Sequence, residues 1–231
     1  AFRWADVLLA VSRDVAHDAE RSLRLPAGTV HPVPNPVLDP TVPARAEEPV
    51  SHPWFAAGEP PVVLGIGRLH PQKDFETLIA AVARLRETRE ARLVIFGEGP
   101  KRAALEAAAE RHGIADAVDM PGQTDNPFAH MRAAAVTALS SRWEGMPGVL
   151  IEAMACGCPV VSTDCPGGSR EVLEDGALGP LTPVGNAALL ADALKQSLTN
   201  PPLKENLKKK AEEYSVCEAS KLYMKFLFYS L

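Results

Sequence analysis

From Val62 onward, the sequence alternates between short apolar, β-branched runs and longer segments with helical periodicity. This alternation predicts an α/β fold in which a parallel sheet is flanked by helices. The expected strands are residues 62–66, 92–96, 117–120, 136–140 and 159–162, with a sixth short strand at 179–181. The expected helices are residues 75–90, 101–112, 127–134, 149–156, 169–174 and 187–198. Ligands of such sheets bind where the carboxyl ends of the strands meet and the strand order reverses.

Length and composition exclude several classes of protein. A chain of 231 residues, 46% of them hydrophobic, can bury one sizeable core but is too short for two full lobes of this kind. A net charge of -5 without blocks of like charge argues against a nucleic-acid surface. No apolar run reaches the roughly 20 residues that span a bilayer, and no secretory signal opens the chain. The four cysteines have neither metal-ligand nor disulfide-framework spacing, which favours a reduced, cytoplasmic compartment.

The densest set of functional signals lies in residues 140–166. This stretch predicts a strand, a Gly/Pro-rich turn, a helix and a second strand, with Glu144 in the turn and Glu152 on the first helical turn. The two glutamates lie on different elements and can still face one crevice. The turn between them brings bare backbone N–H groups to the helix start, where the helix dipole favours an anion. The expected site is therefore a phosphate socket flanked by carboxylates that can hold sugar hydroxyls.

The segment EGMPGVLIE resembles the E-x7-E segment of the group 1 (family 4) retaining glycosyltransferases of the GT-B fold. It continues into ACGCPVVSTD, and other landmarks of that family recur in order between about Asp6 and Lys225. These landmarks are Gly67-Arg68-Leu69 with Lys73, then Phe96-Gly97-Glu98-Gly99-Pro100, then Pro121-Gly122. The resemblance implies a nucleotide-sugar donor and two Rossmann-like lobes, of which this chain can supply only the second.

The resemblance also assigns roles to single residues. Arg68 and Lys73 would place positive charge on the leaving diphosphate, as catalytic residues together with Glu144, which would face the transferred sugar. Glu152 would accept hydrogen bonds from the ribose. The nucleotide base would lie near Gly97, Glu98 and the backbone around Pro121. The other donor-binding candidates are Gly67 and the turn residues Gly145, Met146, Pro147, Gly148, Val149 and Leu150, whose backbone amides from 146 to 150 would meet sugar and phosphate oxygens.

Two negative observations refine the chemistry. The dinucleotide fingerprint G-x-G-x-x-G is completed neither after Gly65 nor after Gly97, which argues against a nicotinamide coenzyme. The sequence has no Asp-x-Asp triad of the sort that holds a divalent cation. An arginine fork and a lysine point charge can neutralise a diphosphate without a metal. We therefore expect neither a metal ion nor a cofactor.

Four parts are expected along the chain. Residues 1–37 predict a strand-helix-strand remnant of an acceptor-binding lobe, with Ser12 as the N-cap of a helix over residues 13–23. Residues 38–60 are a proline-rich linker without regular structure, because proline fixes φ and removes a donor. Residues 61–199 form the nucleotide-sugar-binding domain, and residues 200–231 form C-terminal helices. The chain starts without methionine inside a segment patterned like folded structure, so we expect it to be a piece of a longer protein.

The resemblance implies that the complete protein transfers a sugar from a UDP- or GDP-type donor to a hydroxyl acceptor, with retention of configuration. The expected partners are the nucleotide-diphosphate sugar and the missing N-terminal lobe; nucleic acid is excluded, and peripheral membrane association of the full enzyme is left open. This chain alone is expected to be inactive, because its cleft lacks the other wall. Two alternatives remain at this stage: a nucleotide-sugar epimerase of the same architecture and a non-catalytic nucleotide-sugar-binding module.

Overall fold

A computed structural model describes residues 5–228, in two parallel sheets flanked by helices. The strands are β1 (Leu8–Ala10), β2 (Val30–Pro32), β3 (Val62–Ile66), β4 (Arg92–Phe96), β5 (Val118–Gly122), β6 (Val136–Leu139), β7 (Val160–Thr163) and β8 (Leu181–Thr182). The helices are α1 (Arg13–Leu23), α2 (Val42–Ala46), α3 (Phe75–Arg86), α4 (Arg102–Arg111), α5 (Pro127–Ala133), α6 (Gly148–Ala155), α7 (Ser169–Val172), α8 (Ala187–Thr199), α9 (Lys204–Glu212) and α10 (Val216–Phe228).

The larger sheet has the strand order β5-β4-β3-β6-β7-β8, and all of its neighbouring strands are parallel. The chain enters this sheet at β3 and adds β4 and β5 on one side of it. It then returns to place β6 on the other side of β3 and adds β7 and β8 beyond β6. The strand order therefore reverses between β3 and β6, which is where ligands bind in sheets of this type. The Rossmann-like α/β fold expected from the sequence is confirmed.

The central strands are apolar on both faces because helices cover both faces. Val62 and Leu64 of β3 point into a core formed with α5, α6 and α9, while Val63 points into a second core formed with α3, α4 and α8. Successive side chains of a strand alternate between faces, so a strand buried on both sides becomes a continuous apolar run. This double burial is the physical origin of the runs in the sequence.

The first elements form a separate, smaller sheet, the β1–α1–β2 unit. Its two strands pair in parallel, with Leu8 opposite Val30 and Ala10 opposite Pro32. The predicted cap is confirmed, because the Ser12 hydroxyl accepts a hydrogen bond from the Val15 N–H at 3.3 Å. Among the described residues of this unit, from residue 5 onward, the side chains buried together are small or medium in size, namely Ala10, Ala16 and Val30.

The expectation that residues 38–60 lack regular structure is wrong. This segment contains α2 and a short 3-10 helix, Pro53–Phe55. Proline does not prevent either helix, because it stands in the first turn, where its missing N–H would have no helical partner. Val42 and Ala46 of α2 are buried in the core beside α5 and α6, so the segment is docked onto the larger domain.

The C-terminal helices return the chain toward the β1–α1–β2 unit. The Val216 N–H at the start of α10 donates to the Leu38 carbonyl at 2.9 Å, and the Phe226 ring lies 4.9 Å from the His31 ring on β2. Within residues 5–228, none of the helices combines the length and apolar character needed to cross a membrane.

Candidate functional site

The loops that follow β3 (residues 67–74) and β6 (residues 140–147) are joined by hydrogen bonds at the point of strand reversal. The Ser140 hydroxyl donates to the Lys73 carbonyl at 2.7 Å, and the Arg142 N–H donates to the Gln72 carbonyl at 2.8 Å. The Gln72 side-chain amide donates to the Trp143 carbonyl at 2.9 Å. We call this set of contacts, together with the ion pair described next, the β3–β6 seam. It brings two of the sequence motifs to one edge of the sheet.

Lys73 and Glu144 form an ion pair within the seam. The Lys73 Nζ lies 2.6 Å from Glu144 Oε1, which also accepts a hydrogen bond from the Ser141 hydroxyl at 2.6 Å. The pair is largely shielded from solvent, since the Lys73 side chain is 17% exposed and that of Glu144 is 8% exposed. Within residues 5–228, Glu144 Oε2 accepts no hydrogen bond. Because an ammonium has three donors, Lys73 retains two for a second anion, and Glu144 retains one oxygen for a hydroxyl.

Arg68 lies on the same loop as Lys73, with different surroundings. Its side chain is exposed, and it forms no ion pair with any residue that the structure describes. The next residue, Leu69, is fully buried and fixes the loop, because its N–H donates to the Glu98 carbonyl at 2.9 Å. The Arg68 guanidinium is thus available to bind an anion, and the backbone beside it is held in place.

The loops after β3, β4 and β5 approach each other at the level of the backbone. The Gly67 N–H donates to the Phe96 carbonyl at 3.0 Å, and the Gly97 N–H donates to the Gly122 carbonyl at 2.7 Å. A Cβ at Gly97 would lie 1.9 Å from the Gly67 oxygen, and the φ of Gly97 is 149°. Only glycine fits there. The candidates Gly67, Gly97 and the Pro121-Gly122 pair are therefore brought together.

The Glu98 carboxylate is already occupied. Arg102 binds it with two nitrogens, at 2.9 Å (Nη2–Oε1) and 3.3 Å (Nε–Oε2), and donates a further hydrogen bond to the Met120 carbonyl at 2.8 Å. Arg102 was not among the candidates predicted from the sequence, although its spacing of four residues from Glu98 was an available signal. Since the Glu98 carbonyl accepts the Leu69 N–H, this fork leaves the backbone N–H of Glu98 as the freer group for a ligand.

The start of α6 offers fewer free amides than the sequence suggested. Pro147 has no N–H, the Gly148 N–H donates to the Met146 carbonyl at 2.9 Å, and the Leu150 N–H donates to the Pro147 carbonyl at 3.0 Å. Among positions 146–150, only the N–H groups of Met146 and Val149 have no acceptor within the described chain. We expected every backbone N–H from 146 to 150 to be available to a ligand. The structure reduces this set to the N–H groups of Met146 and Val149.

A glycine-rich loop at residues 165–168 closes against Gly145. The Glu144 N–H donates to the Pro166 carbonyl and the Gly168 N–H donates to the Gly145 carbonyl, each at 2.9 Å. This loop also reaches the first unit of the chain: the Gly167 N–H donates to Asp14 Oδ2 at 3.3 Å. In the opposite direction, the Arg13 N–H at the start of α1 donates to Glu171 Oε2 at 3.0 Å. The sequence carried no signal for these reciprocal contacts.

Glu152 lies on α6, and it is partly buried. Burial raises the pKa of its carboxyl above the ordinary value, because the charged form loses hydration. No hydrogen bond or ion pair joins its side chain to Arg68, Lys73, Glu144 or any other residue between 5 and 228. The Glu152 carboxylate is thus free to accept hydrogen bonds from a ligand. It lies on α6, which begins directly after the turn that contains Glu144. Also within that range, no group of three or more His, Cys, Asp and Glu side chains is arranged to hold a metal ion.

Most of this chain matches a known protein family. The model of the family described as glycosyl transferases group 1 matches residues 48–214, more than half of the chain. The chain belongs to the group 1 glycosyl transferases. The match covers both sides of the β3–β6 seam, so the family expected from the sequence motifs is confirmed.

Two curated relatives show how much of a whole protein this chain represents. The N-acetylgalactosamine-N,N'-diacetylbacillosaminyl-diphospho-undecaprenol 4-alpha-N-acetylgalactosaminyltransferase of Campylobacter jejuni is 36% identical over 150 residues, which cover 65% of this chain and 40% of that protein. The alpha-D-kanosaminyltransferase of Streptomyces kanamyceticus is 29% identical over 218 residues, which cover 91% of this chain and 56% of that protein. The chain spans about half the length of these curated relatives.

A solved structure supports the same fold. The crystal structure of Anabaena Alr3699/HepE in complex with UDP matches this group 1 chain with a TM-score of 0.86 at 23% identity. The match covers 99% of this chain and 65% of that one.

Proposed function

We propose that the complete protein transfers a sugar from a nucleotide-diphosphate donor to a hydroxyl acceptor with retention of configuration. In this proposal, the chain described here supplies the donor-binding lobe. One observation carries it: the Lys73–Glu144 pair lies at the strand reversal, with ammonium donors and one carboxylate oxygen still free. Such a site can hold an anion and a hydroxyl side by side, which is what a sugar diphosphate presents.

Arg68 and Lys73 take the diphosphate in this proposal. As the bond between the anomeric carbon and the phosphate oxygen breaks, negative charge grows on the phosphate and these cations stabilise it. The acceptor oxygen forms its bond to the same carbon on the same face, and its proton passes to the departing phosphate oxygen. The free N–H groups of Met146 and Val149 provide further donors at the start of α6.

Glu144 and Glu152 orient the two sugars of the donor. Glu144 Oε2 accepts a hydroxyl of the transferred sugar, and the Glu152 carboxylate accepts the ribose hydroxyls. The base lies against the backbone of Gly97, Glu98 and Pro121. Because Alr3699/HepE was solved with UDP, UDP is the nucleotide that we propose first, with GDP as the second.

Cations alone neutralise the diphosphate in this proposal, so transfer needs no metal ion. The four free thiols of the chain agree with a reducing, cytoplasmic location for the protein. We further propose that this chain alone binds the nucleotide weakly and transfers no sugar, because the opposite wall of the cleft belongs to the remainder of the protein.

Calorimetry with UDP, GDP and ADP tests the nucleotide site directly. Arg68→Ala is the informative variant, because this exposed side chain has no partner within residues 5–228 and its loss leaves the fold intact. A hydrogen bond between charged groups is worth about 1.5–3 kcal/mol, so we expect the affinity to fall by about tenfold or more. Arg111→Ala, on the exposed surface of α4, is the matched control and should bind like the wild type.

Binding of no nucleotide by the wild-type chain, or equal affinity in Arg68→Ala, contradicts the proposal. Incubating the complete protein with the donor sugar in the absence of an acceptor separates transfer from epimerisation. A change of configuration in the donor sugar under those conditions would identify an epimerase instead.

A further inference from the structure

A second cleft opens between α1 and the loop after β6, on the far side of Glu144. It has a volume of about 750 Å³, within the roughly 300–1,000 Å³ that is typical of small-molecule sites. Trp143 and Glu144 lie on one wall, and α1 forms the other. We call it the Trp143 cleft. The cleft shares Glu144 with the proposed donor site.

Trp143 is a large aromatic side chain that is anchored but not packed. Its carbonyl is held by the Gln72 side chain at 2.9 Å, while the side chain itself is 49% exposed. Across the part of the chain that the structure describes, no aromatic ring stacks on the indole, no Arg or Lys lies over it, and its N–H has no acceptor. An indole on an anchored backbone, with a free face and a free donor, is available to a ligand.

The opposite wall is polar apart from Val15. Asp14, His17, Asp18 and Arg21 line the cleft, and their spacing of three, four and seven residues places them on one face of α1. All four are exposed, and Asp18 and Arg21 are only loosely paired at 3.5 Å. Carboxylate, imidazole and guanidinium groups bind hydroxyls from both directions, as acceptors and as donors.

This combination selects a class of ligand. A sugar ring has one apolar face of C–H groups that can lie on an indole, and a rim of hydroxyls that matches the polar wall. A lipid chain would meet four polar side chains from α1 against one apolar side chain, Val15, and would gain little from burial. A small polyol without a ring would leave the indole face uncovered.

We propose that the Trp143 cleft binds a sugar ring of the acceptor, so that the hydroxyl to be glycosylated belongs to a saccharide. The proposal rests on the proposed function, because it uses the adjacency of Trp143 to Glu144 at the transferred sugar. It goes further by naming the acceptor class and the side chain that recognises it. The competing occupant is a segment from the rest of the protein that covers Trp143, and in that case the cleft binds no free sugar.

Fluorine NMR of the chain labelled with 5-fluorotryptophan gives the test. The three tryptophans, Trp4, Trp54 and Trp143, are assigned with single phenylalanine variants. The probes are methyl α-D-glucoside, methyl α-D-galactoside and methyl α-D-mannoside, with 1,2-hexanediol as the apolar control. We expect at least one glycoside to shift the Trp143 resonance in a saturable manner, with the Trp54 resonance unchanged and no saturable response to hexanediol.

Variants at Trp143 measure the contribution of the ring by ligand-observed NMR. Trp143→Ala should weaken glycoside binding about tenfold, while Trp143→Phe, which keeps an aromatic face, should lose about threefold or less. Absence of a glycoside response at Trp143, a saturable response only to hexanediol, or equal glycoside binding by Trp143→Ala overturns the inference. Failure of the proposed function gives a different result, because UDP then produces no heat with the wild-type chain, whatever the glycosides do.

Discussion

The β3–β6 seam and the β1–α1–β2 unit are both built on short parallel strands, but they are stabilised differently. In the seam, hydrogen bonds and a shielded ion pair fix side chains that we propose to contact the donor. In the β1–α1–β2 unit, two three-residue strands share a core of Ala10, Ala16 and Val30. Rigidity is thus concentrated where the proposed donor binds, and the wall contributed by α1 is the softer partner.

The hydrogen bonds that join the β1–α1–β2 unit to the loop beside the seam are of the weaker kind. Asp14 accepts the Gly167 N–H at 3.3 Å in a partly buried position, and Glu171 accepts the Arg13 N–H at 3.0 Å in an exposed one. Interactions between polar groups in water contribute little net stability. We expect the β1–α1–β2 unit to move against the seam without disrupting it. The predictions below test this contrast, in order of decreasing expected effect.

Removal of the Lys73 ammonium should have the largest effect on stability. Lys73→Ala leaves the shielded Glu144 carboxylate without its counter-charge, and breaking such a pair costs about 3–5 kcal/mol. The free energy of unfolding from urea titration measures this loss. The double variant Lys73→Met with Glu144→Gln should lose less than the single variant, since no charge is left buried. If Lys73→Ala lowers the free energy of unfolding by less than about 1 kcal/mol, the ion pair contributes no more than an ordinary surface pair. The seam would then not be more strongly stabilised than the β1–α1–β2 unit.

Gly97→Ala should destabilise the fold by about 3 kcal/mol, because the new methyl group would overlap the Gly67 carbonyl and force two loops apart. Gly113→Ala is the matched control: it also has a positive φ, of 68°, but no atom lies within 4 Å of the added Cβ. The control should lose only about 1 kcal/mol, the cost of the left-handed backbone. Similar losses in the two variants, measured by thermal and urea unfolding, would mean that close approach of the loops is unimportant.

Glu152→Gln should stabilise the fold and weaken nucleotide binding. Burial raises the pKa of Glu152 in the folded state above its ordinary value of 4.5, so the folded state holds this proton more tightly than the unfolded state. The contribution of Glu152 to stability is therefore largest at low pH and is lost as the pH rises through the folded-state pKa. Glutamine stays neutral and removes that loss.

The two effects of this substitution are measured separately. Unfolding titrations across the acid range should give a flatter pH profile for Glu152→Gln than for the wild type, with greater stability at neutral pH. Calorimetry should give an affinity for UDP that is lower by about tenfold, because a charged acceptor for the ribose is replaced by a neutral one. Unchanged profiles together with unchanged affinity would show that Glu152 is a solvated surface group.

Asp14→Asn and Glu171→Gln should have the smallest effects, about 0.5 kcal/mol each in overall stability. Their effect should be local: the amides of α1 should exchange hydrogen faster, while those of β3 and β6 keep their protection. Asp192→Asn, an exposed substitution on α8, serves as the control. Faster exchange in β3 as well as α1 would show that the two regions behave as one rigid body.

The parts of this molecule that the sequence predicted are those in which one physical effect dominates. The strands 62–66 and 92–96 match β3 and β4, because burial on both faces leaves an unbroken apolar run. The short helices in residues 38–60 were missed because proline was interpreted as a breaker, although it stands in the first turn of each helix.

Pairwise contacts of the site were harder to predict than its residues. The sequence indicates Lys73 and Glu144 as candidates and places Ser141 in a loop. No local pattern indicates that one oxygen of Glu144 accepts hydrogen bonds from both Lys73 and Ser141. Whether the N–H of Gly148 is free depends on the path of the Met146 turn, which propensity does not determine. The sequence thus indicates candidate residues through their chemistry, while the hydrogen-bond partners of those residues follow from tertiary geometry.

The separation of Lys73 and Glu144 along the chain has a consequence for how the protein matures. The two residues that close the seam are 71 positions apart, so a large loop must be closed before their attraction is realised. During synthesis, the ribosome releases β3, β4 and β5 before β6 exists. A nascent chain at that stage has all three strands of one half-sheet but not the proposed donor site, which is complete only when β6 inserts beside β3.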